Sequence, residues 1–327
     1  MNFAIIGTNW ITERFIDSAK RNEEFKLTAV YSRTHEKAKE FADKHGAEFI
    51  FTNLEKMATS DVFDAVYIAS PNSLHAEQAI IMMKHNKHVL VEKPAASNRA
   101  EWEAMALAAR ENGVLLMEAM RSTIVPNFQR IRDSLEKIGP VRRFVGNACQ
   151  YSSRYDAYKE GSVLNAFKPE FSNGSLMDIG IYCLYPMVVL FGKPDGVKAN
   201  AYMLESGVDG EGSIVMRYAD KEAVVMYSKI SNSYMPSEIQ GENGSILIHS
   251  MLEMDKVEIR YKDGSREDIS VTQDQPSMFY EAKEFMELVR AGERESRINS
   301  HAHSKIVMEV MDESRRQIGL VYPADLK

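Results

Sequence analysis

His88-Val89-Leu90-Val91-Glu92-Lys93-Pro94 decides how this chain is read. Its first four residues are a short apolar run of strand type, which ends in a charged pair and a proline. In open α/β sheets, ligands gather outside the carboxyl ends of the strands. A strand ending in Lys-Pro therefore aims an ammonium group at the place where a cofactor sits. The pattern continues on both sides. Upstream, strands are expected at 3–6, 27–31, 47–51 and 65–69, with helices at 10–21, 34–45 and 73–85. Downstream, a helix over 98–112 stops at Gly113, and a strand follows at 114–117. Strands and helices that alternate, with continuous apolar strands, predict a parallel sheet covered on both faces.

The beat changes near residue 120. A helix over about 127–137 stops at Gly139-Pro140. Strands follow, among them 212–218 and 222–229, with Asn243-Gly244 and Asp263-Gly264 as hairpin signals. Strands at this density predict an open, mostly antiparallel sheet, closed by helices near 277–291 and 302–317. The expected fold class is α/β. Residues 1–120 are expected to form a doubly wound Rossmann domain, and residues 121–327 an α+β domain.

Composition narrows the function. The 327 residues exceed what most single cores accommodate. A net charge of −7 argues against nucleic acid as a standing partner. No stretch approaches the ~20 apolar residues of a membrane span. The opening Met1-Asn2-Phe3-Ala4-Ile5-Ile6-Gly7 reads as a strand, not a secretion signal. Cys149 and Cys183 make no disulfide framework, so a reducing cytoplasm is expected. The 19 methionines read as adaptable core filler. No metal is expected.

Gly7-Thr8-Asn9-Trp10-Ile11-Thr12 occupies the place of a G-x-G-x-x-G/A dinucleotide fingerprint. Gly7 keeps the tight turn. Asn9 replaces the glycine that lets the backbone approach a pyrophosphate, and Thr12 replaces the small residue at the helix–strand contact. The helix N-terminus still suits a pyrophosphate. The second strand ends in Tyr31-Ser32-Arg33-Thr34, with no carboxylate until Glu36. NAD sites place an acid there and NADP sites an arginine, so Ser32 and Arg33 favour NADP, with NAD as the alternative.

Asp178-Ile179-Gly180-Ile181-Tyr182 supplies the second half of a site. Asp178 and Tyr182 are spaced i, i+4 and share a helix face. The helix is expected over 176–191, ending at Gly192 and kinked by Pro186. Ser175 and Asp178 also have capping-box spacing, which is the structural alternative for Asp178. Gly180 costs ~1 kcal/mol inside a helix, so it is expected to admit a close neighbour. A free phenol has a pKa of about 10, too high for a good base near neutrality. A lysine ~4 Å away, at an effective dielectric of ~20, favours the phenolate by up to about 4 kcal/mol. Lys93 and Tyr182 together therefore suit proton exchange with a hydroxyl as a hydride moves, with Asp178 orienting the substrate or holding the lysine.

Together with Ala69-Ser70-Pro71-Asn72-Ser73-Leu74-His75, these segments resemble the glucose–fructose oxidoreductase / inositol dehydrogenase / MocA family over nearly the whole chain. The resemblance implies a Rossmann domain, a C-terminal domain with a large open sheet, and a sugar, polyol or related cyclic alcohol as substrate. It carries catalysis onto Lys93, with the proton donor on Tyr182 where many members have histidine. The tyrosine resembles the glucose–fructose oxidoreductase and dimeric dihydrodiol dehydrogenase branches. Pro71 and Asn72 are expected to line the nicotinamide side. Ser70, His75, Glu92 and Arg121 join the expected cofactor set; His75 reads equally well as a packing residue, and Arg121 stands where relatives often have an apolar residue. Arg154, Tyr155, Tyr158 and Asn165 suggest a substrate wall, and the broad sheet face suggests a homodimer or homotetramer. A non-catalytic NADP(H)-binding sensor is the alternative function. A Rossmann-like methyltransferase would leave Lys93-Pro94 without a purpose.

Overall fold

The computed structural model describes residues 1–326. The first elements are β1 (Asn2–Ile6), α1 (Trp10–Ala19), β2 (Lys26–Tyr31), α2 (His35–His45), β3 (Phe49–Phe51), α3 (Leu54–Ala58), β4 (Ala65–Ile68), α4 (His75–Lys84), β5 (His88–Glu92), α5 (Arg99–Asn112) and β6 (Leu116–Ala119). There follow α6 (Pro126–Ser134), β7 (Val141–Cys149), α7 (Ser153–Lys159), α8 (Ile181–Phe191), β8 (Gly196–Met203), β9 (Asp209–Arg217), β10 (Glu222–Ser228), β11 (Ser237–Gly241), β12 (Gly244–Ile248), β13 (Val257–Tyr261), β14 (Arg266–Asp268), α9 (Ser277–Ala291) and α10 (His301–Ile318). The chain forms two compact units.

The first unit contains Met1–Arg121 and Gln275–Ser304. Its sheet runs β3-β2-β1-β4-β5-β6, with every neighbouring pair parallel. The order reverses between β1 and β4, and such a reversal opens a crevice at the strands' carboxyl ends. β4 is buried along its whole length and β5 along all but His88, which is why neither alternates in polarity. β6 lies two residues later than expected, and this carries Glu118 into a fully buried strand position.

Gln275–Ser304 corrects the expected domain boundary. Periodicity changes at about 120, but the chain later returns: α9 packs on α1, and Phe285 joins Phe3, Phe15 and Phe25 in one aromatic cluster. Asn299 fastens this return to β6 by donating to the carbonyls of Glu118 and Met120, each at 3.2 Å.

The second unit contains Ser122–Asp274 and the chain from Lys305 on. Its eight-stranded sheet runs β14-β13-β12-β11-β7-β10-β9-β8, antiparallel except for the β7/β10 pair. The stretch Pro169–Phe191 is long and apolar enough to cross a membrane, contrary to the expectation that none is, but 78% of its apolar window is buried inside the protein. It is a core helix. It begins as one π-helical turn, Leu176–Gly180, and continues as α8 to Gly192, where φ is +73°. Gly180 does admit a close neighbour: a Cβ there would lie 3.1 Å from the ring of Tyr227 on β10.

Candidate active site

In the first unit, the β1–α1 turn is shaped by Gly7. Its φ is +107°, and a Cβ would meet the Ala69 carbonyl oxygen at 2.6 Å, so only glycine fits between the ends of β1 and β4. Asn9 works differently from the glycine it replaces. Its backbone is extended, its Oδ1 accepts from the Ile11 and Thr12 amides, and its Nδ2 donates to the Ala69 carbonyl at 2.7 Å. It is the N-cap of α1. Thr12 is fully buried at the helix–strand contact, and Trp10 stands exposed with the Arg14 guanidinium over its ring. Thr8 and Ser32 are half-buried and Arg33 is exposed past the end of β2. The glycine turn, the positive dipole end of α1 and the exposed arginine together fit a phosphorylated dinucleotide.

The ends of β4 and β5 are held by His75. The ring is fully buried, with Nδ1 3.0 Å from the Pro94 carbonyl and Nε2 2.8 Å from the Ser70 carbonyl. Burial pushes its pKa down to about 4. The neutral ring has one N–H and donates it to one of these two carbonyls, so it braces the loops that present Ser70-Pro71-Asn72 and Lys93. Ser70 is itself held through Oγ to Gln78.

Lys93 is half-buried at the end of β5, among buried acids. Burial raises the pKa of Glu92 and pushes that of Glu118 up to about 7, and the Lys93 charge opposes both shifts. Glu92 accepts from the Tyr67 hydroxyl, and Glu118 from the Ala95 amide. Arg121 turns to α9: it is 6% exposed and donates to Ser277 Oγ at 2.6 Å. Its charge acts on Glu92 and on Glu281, an acid that sequence reasoning missed. Glu281 is fully buried, neither carboxyl oxygen has a hydrogen-bond partner among the described residues, and burial followed by the nearby Glu92 raises its pKa.

In the second unit, Tyr182 is 7% exposed on the first turn of α8, and Asp178 lies on the π-helical turn before it. The capping box does not form. Ser175 Oγ donates to the Gly210 carbonyl, and the Leu176 amide is capped instead by Asp209 of β9 at 2.7 Å. Asp178 forms an ion pair with Lys229, a residue just past β10 that sequence reasoning also missed. A signal existed: Ala223, Val225 and Tyr227 are the inward residues of β10, and Lys229 continues their alternation. The Lys229 ammonium also lies 5.2 Å from the Phe167 ring centroid, and Phe167 packs against Tyr155 and Tyr158. The Phe167, Tyr155 and Tyr158 rings are therefore linked to Asp178 through Lys229. Arg154 and Asn165 are exposed away from these ring contacts.

The first unit, with its glycine turn, reversed strand order and lysine at a strand end, has the frame of a nicotinamide-dependent oxidoreductase, and the second unit carries Asp178 and Tyr182 on one helix. Residues 1–120 match the oxidoreductase family with an NAD-binding Rossmann fold, and residues 128–247 match the GFO/IDH/MocA C-terminal domain. The protein belongs to the GFO/IDH/MocA family. It is 58% identical over 325 residues to scyllo-inositol 2-dehydrogenase (NADP(+)) IolU of Bacillus subtilis (strain 168), covering 99% of both chains. It is 30% identical to trans-1,2-dihydrobenzene-1,2-diol dehydrogenase of Xenopus tropicalis, covering 91% of both. Levoglucosan dehydrogenase in complex with NADH and levoglucosan has the same fold, with a TM-score of 0.85 at 21% identity, covering 98% of this chain and 97% of that one.

Proposed function

We propose that the protein oxidises or reduces a ring carbon of a cyclic polyol or sugar, with NADP as the redox partner and an inositol as the leading substrate. The observation that carries this reading is the 58% identity to an NADP-dependent inositol dehydrogenase along nearly the whole chain. Arg33 at the end of β2, with no acid before Glu36, supports NADP over NAD. When bound, NADP supplies the carbon that accepts or returns a hydride. Gly7, the α1 N-terminus, Ser32 and Arg33 would hold its phosphates and ribose, with Ser70, Pro71 and Asn72 toward the nicotinamide. The residues of the chain do the rest. Tyr182 takes the hydroxyl proton as the carbinol carbon is oxidised and returns it in the reverse direction. Lys93, at the end of β5, supplies a positive charge and a hydrogen-bond donor toward the substrate oxygen, and Asp178 accepts a neighbouring substrate hydroxyl.

We also propose a homodimer through the open sheet face, where Tyr202, Val215, Val224 and Met226 lie on one side of β8–β10 with Tyr202 61% exposed. A solution mass of one chain at micromolar concentration overturns it. Both cysteines are free, which suits a reducing cytoplasm.

The test of function is nicotinamide absorbance with NADP⁺ or NAD⁺ across inositols, aldoses, ketoses and dihydrodiols, with Lys93→Met as control. Turnover of one class with NADP⁺, lost in the control, is expected. Tight NADPH binding without turnover would favour the sensor.

A further inference from the structure

We propose that Lys229 is a positioning residue of the substrate site: it fixes the Asp178 carboxylate in the orientation that receives a polyol hydroxyl and anchors the aromatic wall beside it. The inference rests on the function proposed above.

Four observations within the second unit carry it. First, Lys229 is buried, at 4% exposure, and Lys is almost never buried so completely without a partner. Its ammonium is paired with the Asp178 carboxylate. Second, the pair is asymmetric. The Lys229 side chain is 5% exposed whereas that of Asp178 is 35% exposed, so the lysine is the floor of the pair and the carboxylate is its outward face. Third, the ammonium also faces the Phe167 ring at 5.2 Å, and Phe167 contacts Tyr155 at 5.8 Å and Tyr158 at 5.4 Å. Tyr155 and Tyr158 stack at 5.7 Å with an interplanar angle of 19°. One cation thus touches both the carboxylate and the innermost ring of the wall. Fourth, the backbone of Lys229 is held on both sides: its amide donates to the Gly210 carbonyl at 3.0 Å, and its carbonyl accepts from the Ser152 amide at 2.9 Å. Ser152 is the N-cap of α7, which carries Tyr155 and Tyr158. The same residue therefore sets the height of the helix that bears the wall.

The chemistry matches a cyclic polyol. A carboxylate held from below accepts hydrogen bonds from vicinal equatorial hydroxyls, and aromatic rings cover the C–H face of the ring. A carboxylate free to rotate would lose orientation entropy on each binding event. Lys229 removes that freedom in advance.

The experiment is steady-state kinetics of the full-length protein with NADP⁺ and the best polyol of the panel. NADPH affinity is measured by fluorescence as a check on folding. Lys229→Met is expected to raise KM for the polyol at least ~10-fold with NADPH affinity preserved. Lys229→Arg, which keeps the charge, is expected to recover most of the loss. Asp178→Asn is the partner of a double-variant cycle: adding Lys229→Met to it is expected to cost less than ~2-fold more, because the lysine acts through the acid. Should Lys229→Met lose NADPH affinity, Lys229→Gln takes its place in the cycle. An active wild type whose KM is unmoved by Lys229→Met overturns the inference and leaves the function standing. So do losses that multiply in the double variant, which would mark an ordinary structural lysine. A wild type inert on every polyol, yet tight for NADPH, removes the function and this inference with it.

Discussion

Asp209 is a fully buried carboxyl that caps the turn bearing Asp178, and burial raises its pKa from 3.8 to about 6. Between those values the folded protein holds a proton that the unfolded chain has released. Stability contributed by this group therefore falls as pH rises through that window, by up to about 3 kcal/mol once the group is fully ionised. Asp209→Asn keeps the acceptor for the Leu176 amide but does not titrate. Its stability relative to the wild type should improve from about pH 4 to about pH 7, as read by urea denaturation at both ends. Parallel pH curves would return Asp209 to an ordinary carboxyl. Tyr182 makes a kinetic prediction: Tyr182→Phe should lower turnover at least ~10²-fold while NADPH affinity holds. Unchanged turnover takes the phenol out of the mechanism. Lys93, Asp178 and Tyr182 stand out in the sequence as candidates because each sits in a compact local motif. Lys229 and Asp209 were not, since their partners lie 51 and 33 residues away and only the second sheet brings them together.

Among elements, the π-helical turn Leu176–Gly180 is the one that periodicity could not announce. Apolar spacing reads a helix over 176–191 correctly, but a local change of winding leaves the apolar positions apolar. The turn is packed rather than loose. At Gly180 a Cβ would press on the Tyr227 ring at 3.1 Å and on Leu176 Cδ1 at 3.2 Å. Alanine gains ~1 kcal/mol of helix propensity, and overpacking costs about 1–3 kcal/mol. The second effect should win, so Gly180→Ala is expected to lower the melting temperature and to reduce kcat, with NADPH affinity unchanged. A more stable variant with full turnover would show that Tyr227 yields freely. The carboxyl end of β5 lies where Lys93-Pro94 predicts, because an apolar run closed by charge and proline leaves little freedom.

At the scale of the whole molecule, the boundary near residue 120 was visible as a change of rhythm, and the return of Gln275–Ser304 was not. Nothing in α9 says which sheet it covers; its amphipathic face fits either. Phe285 is fully buried against Phe3, so Phe285→Ala should cost ~3–5 kcal/mol. Calorimetry should show the loss in the transition that NADPH raises. A loss confined to the other transition would detach α9 from the Rossmann core. The same return has a consequence for biosynthesis. Ser277 follows Arg121 by 156 positions, and at ~5–20 residues per second a ribosome needs roughly 8–30 s to cover that distance. Throughout that interval the nascent N-terminal half carries Phe3, Phe15 and Phe25 without their lid. Until α9 arrives, that unit presents an uncovered aromatic surface, and a chain terminated between the two points would keep it uncovered.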